Sequence, residues 1–391
     1  MDIKYHLAED TIDKEDVSAL AEWLKSNPRL TKGPLALEFE KKWSDWWKKK
    51  HSIFCNSGSS ANLLMFYALL LSGKLKNKKV IVPSAGWVTT VTPAIQLGFE
   101  PIMCEADKDT FALDSGHLEE LLKKHDPGAV ILVQVLGVPH AHIDEVLALK
   151  KQYGFILLED ACAAMGASYH GRKVGSFGDM ASFSLYFGHQ LSTIEGGVVS
   201  TDDDDFNDLL LMLRSHGWGK DLPPASEERL LKKYGVDNAH RPFIFYEPGF
   251  NLRATDLQAF IGLRQLDKME WMIKRRNENH RLYKKLLKEK FYTQAFDDET
   301  EVSSIHFCAL AENEKERDLI ASALEANGIE TRLYTAGNLG LHPFWANRYG
   351  EAHFPWADEL YKRGFFLPNH PSLKAEEIEF IAGVALKAAL R

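Results

Sequence analysis

After Gly73 the chain repeats short apolar or β-branched runs separated by stretches of helical spacing, and that order constrains the fold more than any other feature. The runs are Lys79–Pro83, Glu100–Glu105, Ala129–Leu136, Phe155–Glu159, Ala181–Phe187 and Gly197–Thr201, with an earlier one, Ser52–Cys55, ahead of a helix. Near-continuous apolar runs of this length predict strands of a parallel sheet buried on both faces. Between them, His117–His125 and Ile143–Tyr153 carry Leu, Val and Ile at helical spacing, so an α/β layer architecture is expected. Ligands of such sheets bind beyond the carboxyl ends of the strands, so the residues just after each run are the place to look for chemistry.

From Asp202 the character changes. Asp202–Asp205 is a solvated acidic run, suited to the N-terminus of a helix reaching Leu213. Gly217–Pro248, rich in Pro, Gly and charge, reads as a long excursion with a short helix near Glu227–Lys233; loops of that length often serve as lids or partner contacts. A helical stretch from Ala254 to about Leu287 then leads to a strand Ser303–Leu310, a helix Glu314–Asn327, a strand near Ile329–Tyr334 and a final helix Ala375–Leu390. The expected division is a large domain, 1–253, with an N-terminal arm and the 217–248 excursion, followed by 254–391, a linking helix and a small C-terminal α/β domain.

Composition narrows the function classes. A chain of 391 residues with 45% hydrophobic content can bury a large core without metal or disulfide staples. Its net charge of −8 argues against a broad nucleic-acid or anionic-membrane surface. No apolar run approaches the ~18 residues of a membrane span, and Met1–Asp10 lacks the apolar stretch of a signal peptide. Cys55, Cys104, Cys162 and Cys308 are scattered, which reads as four reduced thiols rather than a disulfide framework or an iron–sulfur site. A cytoplasmic location is therefore expected. No metal is expected either, because His140-Ala141-His142 has no third ligand nearby in sequence.

The common nucleotide, zinc and nucleophile-elbow motifs are absent, and four other segments carry chemistry. Asn56-Ser57-Gly58-Ser59-Ser60-Ala61-Asn62 ends the first run and opens a helix, where free N–H groups, the dipole and the hydroxyls of Ser57 and Ser59 favour an anion. An ordinary N-cap needs only one of those serines. Trp87 follows the Val80–Pro83 run, either as a core residue or as a platform for an aromatic ring. Asp160 ends an apolar run, where a carboxylate is costly unless paired; it suits a turn cap or the proton of a pyridine nitrogen. The window Ser182-Phe183-Ser184-Leu185-Tyr186-Phe187-Gly188-His189-Gln190-Leu191-Ser192-Thr193-Ile194-Glu195-Gly196-Gly197 joins two runs through a polar turn at the same edge.

Taken together, these segments resemble the fold type I pyridoxal-phosphate enzymes, and more narrowly the DegT/DnrJ/EryC1-type sugar aminotransferases that act on nucleotide-linked 4-keto sugars. The likeness runs from about Arg29-Leu30-Thr31-Lys32-Gly33-Pro34 to near the C-terminus. It implies an aspartate-aminotransferase-like fold with a mostly parallel seven-stranded sheet, a homodimer with shared active sites, and phosphate contacts from Ser184 and from Asn251 in Glu247-Pro248-Gly249-Phe250-Asn251-Leu252-Arg253. His216, Arg253, Arg332 and His342 are candidate contacts to sugar nucleotide or to the donor carboxylate, with structural packing or an ion pair as the competing reading. At one position the chain departs from the pattern: relatives commonly carry Gln or Glu three residues after the strand-end Asp, where this chain has Ala163.

His189 stands where the family places the lysine that holds its cofactor covalently, and the nearest lysines, Lys173 and Lys220, lie outside the window. The resemblance is therefore to the pyridoxamine-phosphate-dependent 3-dehydratases that make 3,6-dideoxy sugars. It implies pyridoxamine or pyridoxal 5′-phosphate bound non-covalently, no iron–sulfur cluster, L-glutamate as amino donor and colitose-like biosynthesis from GDP-4-keto-6-deoxy-D-mannose. An imidazole with an ordinary pKa near 6.5 suits a base working around neutrality. Two alternatives stand beside it: a nucleotide-sugar 4-aminotransferase lacking the usual lysine, and a non-catalytic protein that binds cofactor or sugar nucleotide.

Overall fold

The computed structural model describes residues 3–390. Seven strands form the main sheet: β1 (His51–Cys55), β2 (Lys79–Pro83), β3 (Glu100–Cys104), β4 (Ala129–Val133), β5 (Ile156–Asp160), β8 (Met180–Ser184) and β9 (Gly197–Thr201). The short strands β6 (Ser168–Tyr169) and β7 (Arg172–Lys173) form a separate ribbon. The main sheet is ordered β1-β9-β8-β5-β4-β2-β3, and every pairing from β8 to β3 is parallel. Only β9 runs the other way, antiparallel to both neighbours.

Alternation along each strand builds two cores, one on each face. Ile81, Val130, Leu132 and Leu157 point into one apolar cluster, while Val80, Val82, Ala129, Ile131 and Leu158 point into the other. The first face is completed by the helix Pro34–Trp47, whose Trp43 and Trp47 stack at 4.2 Å and meet Phe183 of β8 edge-on. The second is covered by the helix Gly58–Leu71, apolar nearly all round because it lies sandwiched between the sheet and the helix Asp204–Arg214.

A smaller three-stranded antiparallel sheet follows, ordered β10 (Tyr292–Thr293), β11 (His306–Leu310) and β12 (Gly364–Pro368). The helices Met269–Leu287, Glu314–Ala326 and Ala375–Ala389 close a third core over Phe307, Phe365 and Leu367. Here local structure departs from expectation. The Ala254–Leu287 stretch divides into two helices, Asp256–Leu266 and Met269–Leu287. No strand forms at 329–334; the segment makes single bridges, Tyr5 to Ile329 and Leu333 to Phe365. In the main sheet, the Ala129–Leu136 run stops being a strand at Val133 because Leu136 takes a left-handed φ of 57° inside a 3-10 turn. Among the described residues, no helix is long and apolar enough to cross a membrane.

One buried ion pair joins the layers. Arg214, fully buried, donates to the Phe54 carbonyl at 2.9 Å and to the Glu40 carboxylate, which also accepts from the Phe54 amide at 2.8 Å. Removing the guanidinium strands a buried carboxylate beside β1. Arg214→Ala is therefore expected to cost about 3–5 kcal/mol, read as a lowered urea midpoint at unchanged slope.

Candidate active site

The carboxyl ends of β1, β2, β5 and β8 and the start of the reversed β9 meet at one edge of the main sheet. A cavity of about 630 Å³ opens there, between that edge and the face of the small sheet carrying His306 and Phe366. Its lining includes Gly58, Ser59, Trp87, Asp160, Ser184 and His189. Six residues from four separate segments of the sequence thus converge.

Asp160 and its neighbour Glu159 point to opposite faces of β5 and do different work. Glu159 is fully buried and accepts from Gln134 Nε2 and from the amides of Gly175, Phe177 and Gly178; burial raises its pKa while those donors oppose the rise. It ties down a loop. Asp160 faces the cavity, held by Asn62 Nδ2 at 2.9 Å, Thr90 Oγ1 at 2.6 Å and the Cys162 amide at 3.0 Å. Ser182 Oγ in turn donates to Asn62 Oδ1 at 2.6 Å, which fixes the amide's orientation. Neither Asn62 nor Thr90 is assigned a role from the sequence; the one local signal is Asn62 itself, an amide just ahead of the apolar stretch Leu63–Leu71 of the helix Gly58–Leu71.

The helix Gly58–Leu71 begins beside Ser184. A Cβ on Gly58 would lie 2.5 Å from Ser184 Cβ and 3.1 Å from Cys162 Sγ, so only glycine lets the bare helix start approach β8. Ser57 is the N-cap, its hydroxyl accepting from the Ser60 amide at 3.1 Å, and it is not among the lining residues; Ser59 and Ser184 are. Trp87, 57% exposed, stands at the cavity wall as an unpacked indole rather than a core residue. Amide N–H groups, two hydroxyls, a flat ring and a carboxylate make a donor set suited to an aromatic heterocycle carrying a phosphate.

His189 lies in the β8–β9 turn, half-buried, its Nδ1 inside the protein with no hydrogen-bond partner. Burial lowers its pKa to about 4; nearby Asp160 opposes the shift and Arg276 adds to it. The imidazole is neutral at pH 7 and available as a proton acceptor, which an ordinary pKa near 6.5 would only partly secure. No lysine lines the cavity among the described residues. Lys173 packs on the Trp46 ring and Lys220 on Trp218.

The remaining candidates separate into two groups. Arg332 lines the cavity at its rim, 3.1 Å from Glu330, together with an N-terminal strap: Tyr5 bridges Ile329 and the Leu7 amide donates to Glu330 Oε2 at 2.9 Å. His216, Asn251 and Arg253 come together elsewhere. Ser215 bridges Asn251, and Arg253 Nη1 donates to Ser215 Oγ at 2.8 Å, leaving His216 and Asn251 exposed and outside the lining. His342 is also outside it, its Nε2 2.6 Å from the Ala336 carbonyl ahead of the helix Pro343–Tyr349. Ala163 lines the cavity, its carbonyl accepting from Gln190 Nε2 at 2.7 Å. His140 and His142 do not converge on a ligand: His140 Nε2 meets the Leu113 carbonyl, and His142 approaches Asp107 and Asp109 within 4.8 Å.

Residues 10–385 match the profile of the DegT/DnrJ/EryC1/StrS aminotransferase family. The chain is 30% identical to the GDP-4-keto-6-deoxy-D-mannose 3-dehydratase of Yersinia pseudotuberculosis, over 98% of this chain and 99% of that one. A solved GDP-4-keto-6-deoxymannose-3-dehydratase with a trapped PLP-glutamate geminal diamine superposes with a TM-score of 0.88 at 30% identity, covering 98% of this chain and 100% of that chain. A GDP-perosamine synthase of Caulobacter vibrioides is 34% identical over 61% of this chain and 58% of its own length.

Acid should weaken this fold in a defined window. His189, His280, His306 and His370 have pKa values lowered by burial to about 4, 3, 3 and 4. Below the unfolded value near 6.5, the unfolded chain binds protons that the folded chain refuses, so stability falls as pH drops from 6.5 toward 4. Each histidine contributes up to about 1.4 kcal/mol per pH unit. Urea midpoints taken from pH 7 to pH 5, above the titration of ordinary carboxylates, should fall steadily; a flat profile would show that these imidazoles are not held neutral.

Proposed function

The chain belongs to the DegT/DnrJ/EryC1/StrS aminotransferase family, and from that premise we propose that it removes the C3 hydroxyl of a nucleotide-linked 4-keto-6-deoxy sugar, with GDP-4-keto-6-deoxy-D-mannose as substrate. The observation that carries this reading is His189, the cavity residue standing at the family's lysine position, in a cavity that no lysine lines among the described residues. Pyridoxamine 5′-phosphate, when bound, supplies an amine for the C4 ketone and an electron sink that lets the C3 hydroxyl depart. L-Glutamate would be the amino donor.

The residues then take these roles. Gly58, Ser59 and Ser184 would hold the phosphate through the helix start and two hydroxyls, with Ser57 capping the helix that presents them. Trp87 would flank the ring, and Asp160 would hold a proton on its nitrogen; Asn62, Thr90 and the Cys162 amide keep the carboxylate aimed there. His189, neutral, accepts the C4′ proton of the cofactor and returns a proton to the departing C3 oxygen. The small Ala163 side chain leaves open the space that Gln or Glu would fill. Arg332 offers its guanidinium to an anion at the rim. His216, Asn251 and Arg253, brought together outside the cavity, would serve the cavity of a second copy in a homodimer. His342, also outside the cavity, would reach the sugar nucleotide only in such an assembly.

The identity to a GDP-perosamine synthase favours a second reading, transfer of an amino group to C4 with the C3 oxygen retained. Purified protein given GDP-4-keto-6-deoxy-D-mannose, pyridoxamine 5′-phosphate and glutamate should release ammonia and a sugar lacking one oxygen. A 4-amino sugar with its C3 oxygen intact would refute the dehydratase in favour of the second reading. His189→Lys is expected to lower deoxygenation by at least ~100-fold and to make the cofactor trappable on that lysine by borohydride. The parent protein should show no trapped lysine by peptide mass.

A further inference from the structure

Arg276 is buried, 2% exposed, in the helix Met269–Leu287, yet among the described residues no carboxylate pairs with it. A guanidinium out of water normally has such a partner. Its acceptors here are all main-chain carbonyls. Nη1 donates to Ser304 at 3.1 Å, Ile305 at 3.4 Å and Asn369, and Nη2 donates to the carbonyl of His189 at 3.2 Å. The first three flank β11 and β12, so one side chain ties the small sheet to the turn that carries the imidazole. Gln190 supplies a second tether, donating to the carbonyls of Ala163 and Ser303.

We propose that Arg276 is the positioning residue of His189: it clamps the turn through the His189 carbonyl and, as a buried charge without a counter-ion, reinforces burial in keeping the imidazole in its neutral, proton-accepting form. A positive charge in a low-dielectric interior acts on its neighbours far more strongly than one in water. Three histidines lie in its field, His189, His306 and His370, and it contributes to lowering all three. Around His189 the facing groups are Asp160 from β5, Arg276 from the helix, His306 from β11 and the Tyr186 ring, 6.3 Å away in the same turn. Burial is the largest influence on the imidazole; among these groups Asp160 alone draws a proton toward it, and Arg276 adds to burial in opposing that pull. The inference rests on the reading of His189 as the base, but the hold itself can be read without turnover.

The test is the titration of His189 in cofactor-free protein by NMR of labelled histidine, assigned through His189→Asn. Arg276→Met should raise the His189 midpoint by about one pH unit or more. Arg276→Gln replaces it as the charge-free variant if the first does not fold. Arg276→Lys keeps the charge and loses the planar fork; its midpoint should stay within roughly half a unit of wild type while kcat falls about 10-fold or more at unchanged KM. A folded charge-free variant with a wild-type midpoint, or an Arg276→Lys protein with full kcat, overturns the proposal. If the midpoints move as stated but the wild type removes no C3 oxygen, the proposed reaction fails and the hold of Arg276 on His189 stands.

Discussion

A parallel sheet cannot return on itself through a tight turn; each parallel pairing needs a crossover of a dozen or more residues. The one strand here that breaks the rule is β9, antiparallel to both β1 and β8. Its reversal lets the chain leave β8 at Ser184 and re-enter the sheet at Gly197, directly opposite in register, without leaving the carboxyl edge. The residues between the strands have nowhere to go but across the mouth of the sheet. Everything chemical in the cavity depends on that: the His189 turn is delivered to the edge where Asp160 ends and where the Gly58–Leu71 helix begins.

The price of a polar site on an apolar sheet is set by how its carboxylates and imidazoles are satisfied. Glu159 and Asp160 are adjacent in sequence and both nearly inaccessible, yet one closes a loop with three main-chain amides and the other is left facing a cavity. Strand alternation makes that division automatic. The histidine has no such support; its Nδ1 is unpartnered, and its protonation state follows from desolvation and from Asp160 and Arg276 acting in opposite directions.

Much of this was legible in the residues. Apolar runs located the seven main strands, since a strand buried on both faces reads as a near-continuous apolar run, interrupted here by few buried polar residues such as Glu159, Ser182 and Ser200. The Ser-Gly-Ser helix start, Trp87, Asp160 and the His189 turn were found because each falls directly after a run. What escaped was non-local. Arg276 sits in Lys274-Arg275-Arg276, where helical spacing from Met272, Ile273 and Tyr283 places it on the buried face, but nothing in the sequence shows that its acceptors are main-chain carbonyls far along the chain. Asn62 and Thr90 act only through a carboxylate far along the chain. The strand expected at 329–334 reduces to isolated bridges because one side of that segment is occupied by the N-terminal strap and not by a sheet neighbour. Ser57 shows the converse: a local motif read as anion-binding is partly consumed by capping.

The strap carries a consequence for how the protein is made. The Leu7 amide and the Glu330 carboxylate that receives it are 323 residues apart in sequence. During synthesis the main sheet can assemble once β9 has emerged, but the rim of the cavity must wait for more than a hundred further residues. Such a long-range closure is among the last contacts to become available to a growing chain. A chain that has emerged only as far as β9 therefore carries the helix start and Asp160 but still lacks the Glu330 and Arg332 side of the cavity.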